Sequence, residues 1–293
     1  MARIVDQAGI DMILVGDSLA TTVLGQPDTL AATVETMIYH SAAVAQVQPK
    51  ALIVTDMPWL SYHISPEETI RNAGRLVREG KAEAVKLEGG RKRLPMIEAI
   101  LAAEIPVMGH LGLTPQSVHA MGGYKVQGKD LAAARELLED AKALAQAGVF
   151  AVVLEGIPDI LAKRISEEIA IPTIGIGAGP HCDGQVLVFH DLLGLTSGHL
   201  PNLCVSMHSS PRSRHRHYNN TVPMCRPEHF LPPKKHIIPM LTSHRLYKMR
   251  EPTHPTGPKP EQKRRYEIIL TRETKDKQDP WQLFYMTQMQ ISN

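Results

Sequence analysis

ALIVTD (residues 51–56), AVKLE (84–88) and IPVMGH (105–110) are short apolar runs, each closing on an ionisable residue: Asp56, Glu88 and His110. The pattern continues outward on both sides. ILVG (13–16) runs into Asp17-Ser18, and AVVL (151–154) ends at Glu155. Between these runs lie segments of helical spacing, such as 30–47 with Val34, Met37, Ile38, Ala42 and Val44 on one face. Short aliphatic runs alternating with helices read as parallel strands buried on both faces. When such strands close into a ring, the residues at their C-terminal ends share one mouth, and that is where barrel enzymes carry out their chemistry.

Taken along the chain, strands are expected at 10–17, 51–56, 84–88, 106–109, 150–155, 172–177 and 185–189. Helices are expected over 30–47, 94–103, 130–147 and 158–169, with loops at 21–28 and 113–128. Ser65-Pro66-Glu67-Glu68 opens a further helix as a capping box with proline at its first position, and Gly80 closes it. The first nine residues read as a helix with no strand before it. Seven strands alternating with helices describe an α/β fold, a (β/α)8 TIM barrel short of one strand. On pattern alone, an open doubly wound sheet is the alternative.

The net charge of +2 hides a division. Residues 1–200 carry 16 Lys/Arg against 23 Asp/Glu, whereas 201–293 carry 16 against 7. The expected domains are therefore a catalytic unit over 1–201 and a basic Pro/His-rich tail over 202–293. Only 266–270 and 281–286 in that tail offer apolar runs, too little to offset chain entropy, so it is expected to be largely disordered. Its His-Arg cluster (211–217) lacks any folded reading module, and nucleic acid is not an expected partner. Cys182, Cys204 and Cys225 form no metal-ligand spacing or disulfide framework, which favours a reducing compartment. MARIVDQAG at the start has no long apolar run or Arg/Ser-rich leader, so a cytoplasmic protein without a membrane span is expected.

Several carboxylates converging at one mouth would be costly if unpaired, and a divalent cation is the natural compensating charge. Asp17 and Asp56 are assigned as magnesium ligands, with Glu88 a third, direct or through water. Taken singly, Asp17-Ser18 and Asp56-Met57-Pro58 also read as ordinary strand-ending turns. Lys86 lies two residues before Glu88 and so shares its strand face. There it either meets an anionic substrate or simply pairs with Glu88. His110 has small neighbours that leave room for a ligand, although a lone strand histidine is more often a core group. Burial of Glu155 on so apolar a strand suits a general base acting on a carbon acid, the alternative being a partner cation on a neighbouring strand. Gly175-Ile176-Gly177-Ala178-Gly179 lacks phosphate-loop and dinucleotide spacing, so close backbone packing is expected there.

The segments VGDSL (15–19), DMP (56–58), VKLEGG (85–90), GHLGLTPQSVHAMGGYKVQG (109–128), LE (154–155), 174–179 and DGQVLVFHD (183–191) together resemble the ketopantoate hydroxymethyltransferase family. The resemblance covers residues 1–201 in unbroken order. It implies a magnesium-dependent (β/α)8 barrel assembled as a homo-oligomer, often a decamer, in pantothenate biosynthesis. Such an enzyme transfers a hydroxymethyl group from 5,10-methylenetetrahydrofolate to 3-methyl-2-oxobutanoate, giving 2-dehydropantoate. By the same resemblance Asp17, Asp56 and Glu88 hold the metal, Ser18 and Lys86 hold the keto acid's carboxylate, and Glu155 accepts the proton. His110, with Tyr124 and Lys125, shapes the mouth.

Two departures stand out. The family's opening strand and most of its first helix precede the position of Met1, and the resemblance stops after Pro201, where the last helix should follow. The expectation is a truncated or frame-shifted gene product with low solubility or activity. Two alternatives remain. One is an inactive remnant whose basic tail binds nucleic acid. The other is a magnesium enzyme like the phosphoenolpyruvate mutases and isocitrate lyases, but the catalytic cysteine those lyases carry after a central strand is absent from Gly89-Gly90-Arg91-Lys92-Arg93.

Overall fold

The computed structural model describes residues 1–193, Leu195 and the segment His236–Pro239. Seven strands lie side by side in chain order: β1 (Met12–Val15), β2 (Leu52–Asp56), β3 (Ala84–Glu88), β4 (Val107–Gly112), β5 (Ala151–Glu155), β6 (Thr173–Ile176) and β7 (Gly184–Leu187). Every neighbouring pair is parallel. Helices fill the crossovers, as parallel pairing requires: α1 (Ala2–Gln7), α2 (Leu19–Thr22), α3 (Val34–Ala45), α4 (Pro66–Arg78), α5 (Leu94–Ala102), α6 (Val118–Met121), α7 (Leu131–Ala147), α8 (Asp159–Glu168) and α9 (Phe189–Leu192).

Two apolar layers follow from this arrangement. Leu14, Val54, Met108, Val153, Ile174 and Val186 pack together on one face of the sheet. Residues of the other parity, such as Ile53, Val85, Leu87 and Val152, pack with helix residues Met37, Leu76, Ile100, Leu144 and Ile165. A strand buried on both faces has no reason to alternate apolar with polar, hence the continuous aliphatic runs.

Local signals set the helix ends. The Ser65 side chain accepts a hydrogen bond from the Glu68 amide at 3.2 Å, with Pro66 at the first helical position. Asp130 accepts from the Ala133 amide at 2.9 Å, and Gly148 ends α7 with φ of 99°.

Several boundaries differ from expectation. The segment 21–28 is partly taken up by α2, where Asp17 and Ser18 carbonyls accept from the next turn. The long loop 113–128 contains a helical turn at Pro115–Ser117 and then α6. β4 continues three residues past Gly109. A Cβ on Gly109 would come 2.8 Å from Leu144 Cδ1, so that glycine serves helix packing rather than ending the strand.

All seven expected strands are present, and one more joins them. An eighth, β8 (His236–Pro239), pairs parallel with β7 and comes within 8 Å of β1 between Cα atoms, so the sheet curls until its first and last strands approach. Among the described residues no hydrogen-bonded ladder joins β8 to β1. A Pro at the end of an outer strand is tolerated because it has no N–H to leave unpaired. The rest of 202–293, including the apolar runs 266–270 and 281–286, lies outside the described residues, as does the expected boundary near 201.

Candidate active site

The seven candidate residues lie on β1–β5 or just beyond their C-terminal ends. Register brings them together, because residues paired across parallel strands point to the same face. Asp56 pairs with Lys86, and Glu88 pairs with His110. Glu155 pairs with Gly112, two residues beyond His110 and so on the same face one layer higher.

Side chains continue this order as a line of charges across four strands. Lys86 Nζ is 3.0 Å from Asp56 Oδ1 and 3.1 Å from His110 Nδ1. His110 Nε2 is 3.2 Å from Glu155 Oε2, and His110 Nδ1 is 3.5 Å from Glu88 Oε1. Asp17 joins from β1, its backbone N–H donating to Asp56 Oδ2 at 3.0 Å. The contacts of Asp56 Oδ1 and His110 Nε2 are close without being aligned hydrogen bonds. They hold by charge and proximity. Ser18 stands half-buried at the start of α2, and its hydroxyl caps no helix amide.

Burial sets the protonation states. It pulls the Lys86 ammonium toward neutrality, but Asp56, Glu88 and Asp17 outweigh it and hold the group above lysine's ordinary value. The His110 ring is pushed below its ordinary value by burial and then by Lys86, so it is neutral near pH 7. An ammonium can only donate, so His110 Nδ1 is the acceptor toward Lys86. The single ring proton then sits on Nε2 and faces Glu155.

Three buried carboxylates confront one ammonium. Burial first, and the neighbouring Asp56 second, push the Asp17 carboxyl up to about 7. Burial likewise pushes Glu88 well above the usual carboxylate range, against the opposing pull of Lys86. Without a further cation this pocket sheds charge by taking up protons. Glu155 is the most open of the four acids, with 17% of its side chain exposed against 3–4% for Glu88 and Asp56. The expected deep burial therefore falls on Asp56 and Glu88 rather than on Glu155.

Two participants carried no signal in the sequence. Gln116, in the turn after β4, donates from Nε2 to Asp17 Oδ2 at 2.8 Å and from its backbone N–H to Glu88 Oε2 at 3.0 Å. Tyr62, after β2, donates to Gln116 Oε1 at 2.5 Å and accepts from the Glu88 amide at 3.2 Å. A lone glutamine in an aperiodic loop has nothing to mark it. Tyr124 is exposed, and its hydroxyl is pushed up by partial burial first and then by Asp28, Asp17 and Glu155. Arg93 lies over the Tyr62 ring at 5.7 Å. The glycine run packs closely: a Cβ on Gly179 would sit 2.4 Å from Asp159 Cβ.

Among the described residues, no three His, Cys, Asp or Glu groups stand as a ready metal cage. The donor chemistry nevertheless suits a hard divalent cation: only oxygens, an excess of negative charge, and a buried Asp56 Oδ1 with no aligned hydrogen bond. No helix among the described residues is long and apolar enough to cross a membrane.

The family model described as ketopantoate hydroxymethyltransferase matches residues 1–222. The 3-methyl-2-oxobutanoate hydroxymethyltransferase of Syntrophomonas wolfei subsp. wolfei is 61% identical over 201 residues, covering 69% of this chain and 73% of that protein. Its counterpart in Geobacter sulfurreducens is 62% identical over 199 residues, covering 68% and 74%. Among solved structures, an oxaloacetate acetylhydrolase aligns at 16% identity with a TM-score of 0.47, over 81% of this chain and 71% of that one.

Proposed function

Because the chain belongs to the ketopantoate hydroxymethyltransferase family, we propose that it transfers a hydroxymethyl group from 5,10-methylenetetrahydrofolate to 3-methyl-2-oxobutanoate, giving 2-dehydropantoate. The observation that carries this reading is the gathering of Asp17, Asp56 and Glu88 in one buried pocket, with Glu155 reached from it through His110. The cluster lies at the C-terminal ends of the strands of a curled parallel sheet, the position used by (β/α)8 barrels.

The substrate is an α-keto acid whose C3 proton is weakly acidic. Lys86, buried and cationic, offers the one positive side chain in this line of charges for its carboxylate, and the Ser18 hydroxyl at the start of α2 would be a second donor to it. Asp17 and Asp56, with Glu88 as a third, would hold a magnesium ion, which supplies Lewis-acid polarisation of the keto acid's oxygens when bound. Glu155 accepts the C3 proton, with Nε2 of the neutral His110 ring 3.2 Å from its carboxylate. Water adds to the folate's methylene carbon and tetrahydrofolate leaves, freeing the one-carbon unit as formaldehyde. The carbanionic C3 then forms the new C–C bond to that carbon, and its oxygen takes up the proton held by Glu155, giving the hydroxymethyl group.

Deuterium exchange at C3 of 3-methyl-2-oxobutanoate in D2O with Mg2+ tests the proton step apart from folate binding. Wild type should exchange and Glu155→Gln should not. Equal exchange in both would remove Glu155 from the role of base.

A further inference from the structure

Gln116 and Tyr62 are neutral, buried and fully engaged, and their partners are the residues proposed to meet the metal. Tyr62 Oη accepts the Glu88 amide proton at 3.2 Å, so its own hydrogen goes to Gln116 Oε1 at 2.5 Å. That fixes the amide's orientation. With Oε1 occupied, Gln116 Nε2 points both its hydrogens at acceptors, Asp17 Oδ2 at 2.8 Å and the Met57 carbonyl at 2.9 Å. The flipped amide would face two acceptors with a third. The Gln116 backbone N–H meanwhile holds Glu88 Oε2 at 3.0 Å.

We propose that Tyr62 and Gln116 are positioning residues, a neutral clamp that orients the Asp17 and Glu88 carboxylates for a divalent cation. One oxygen of each carboxylate is tied by the clamp, and the second is left untied by it. An Arg or Lys in place of Gln116 would orient Asp17 equally well but would cancel the charge that a cation needs. An amide orients without neutralising. Outer partners of this kind tune metal sites by fixing the direction of ligand lone pairs. The clamp also couples three loops, because Tyr62 follows β2, Gln116 follows β4 and Asp17 follows β1.

The inference rests on the metal reading above, and the test separates the two. Mn2+ binding to the full-length, metal-free chain is measured by electron paramagnetic resonance for wild type, Tyr62→Phe, Gln116→Met and Asp56→Asn. Tyr62→Phe and Gln116→Met should each weaken Mn2+ binding by about 10- to 100-fold. The double variant should be scarcely worse than Gln116→Met, because the two act as one unit. Melting of the metal-free protein provides a control, since a merely structural role would lower the melting temperature and leave Mn2+ affinity alone. Tyr62→Phe removes one oxygen and keeps the buried ring, so it decides the matter should Gln116→Met fail to fold. Affinities within twofold of wild type, with binding lost in Asp56→Asn, would overturn the clamp and leave the metal site standing. No Mn2+ binding by wild type, or binding indifferent to Asp56→Asn, would overturn the metal reading and the clamp with it.

Discussion

Glu155 Oε2 lies 3.2 Å from His110 Nε2, and the other ring nitrogen of His110 faces Lys86 Nζ at 3.1 Å. An ammonium on one side thus fixes where the imidazole proton sits on the other. The tautomer that puts the ring hydrogen on the nitrogen nearer Glu155 is set by the charge of Lys86, two strands away from Glu155.

His110→Asn keeps a polar group of smaller reach and breaks this line. The C3 exchange rate should fall on the order of 10- to 100-fold, less than the ~10²–10⁴ expected from losing the base itself. Because the ring's pKa is already held below its ordinary value, wild-type exchange should show no inflection from His110 near pH 6.5. An exchange rate unchanged by His110→Asn, read by proton NMR of the keto acid, would contradict the arrangement.

Lys86→Met removes the cation that faces Asp56 and leaves a buried carboxylate without its ion-pair partner. Breaking a buried pair in this way costs about 3–5 kcal/mol. The Lys86 pKa is raised in the folded state, so its contribution is fully present below the ordinary lysine value of 10.5 and is lost only as pH rises through the higher folded value. Lys86 itself adds no slope from pH 6 to 9, but losing its pull lifts the Asp17 and Glu88 carboxyls further, so the deficit of Lys86→Met should widen as pH rises through 7. Urea unfolding at several pH values checks both the size and the widening.

The Asp17 carboxyl carries a slope of the same sign at much lower pH. Its folded value of about 7 lies above the ordinary 3.8, so between those values the native state binds the extra proton. The stability it contributes is complete below about pH 4 and declines as pH rises toward 7; Glu88 shifts in the same direction. Metal-free Asp17→Asn should thus match wild type near pH 4 and exceed it at pH 8, by on the order of 2–4 kcal/mol at ~1.36 kcal/mol per pKa unit. Saturating Mg2+ should stabilise wild type and not Asp17→Asn, reversing the order. Thermal melts at pH 4 and pH 8, with and without Mg2+, test the sign in each arm.

What could be read from the sequence follows from which residues carry a local signature. β3 matches its expected bounds because AVKLE is a short apolar run that pairs an inward Lys with an inward Glu. α4 was legible through Ser65 and Pro66, since capping is local chemistry. The extension of β4 to Gly112 was not legible, because Gly109 and Gly112 look like breakers until Leu144 and the Glu155 backbone are placed against them. β8 was missed because two isoleucines between a histidine and a proline are too short a run to show any period. Gln116 was missed for a different reason. Its part in the site depends on three partners 28, 54 and 99 positions away, and no local pattern encodes such distances.

Two glycines with opposite surroundings put the packing account to the test. Gly112 has φ of +93°, and a Cβ there would lie 2.2 Å from the Glu155 carbonyl oxygen and 2.7 Å from Ile157 Cγ2. The backbone on that side is held by the Leu113 amide donating to the Glu155 carbonyl at 2.7 Å, so it cannot give way without moving Glu155. Gly112→Ala should cost about 1–3 kcal/mol from backbone strain alone and should also slow C3 exchange, although residue 112 has no side chain in the pocket. Gly74 sits within α4, and a Cβ there meets nothing within 4 Å. Gly74→Ala should stabilise by about 0.5–1 kcal/mol and leave exchange untouched, because alanine only lowers the entropy lost on forming a helix. Chemical denaturation and the exchange assay on both variants give four measurements. Equal stability changes in the two, or slowed exchange in Gly74→Ala, would mean that the close approach of β4 to β5 at Gly112 does not set the position of Glu155.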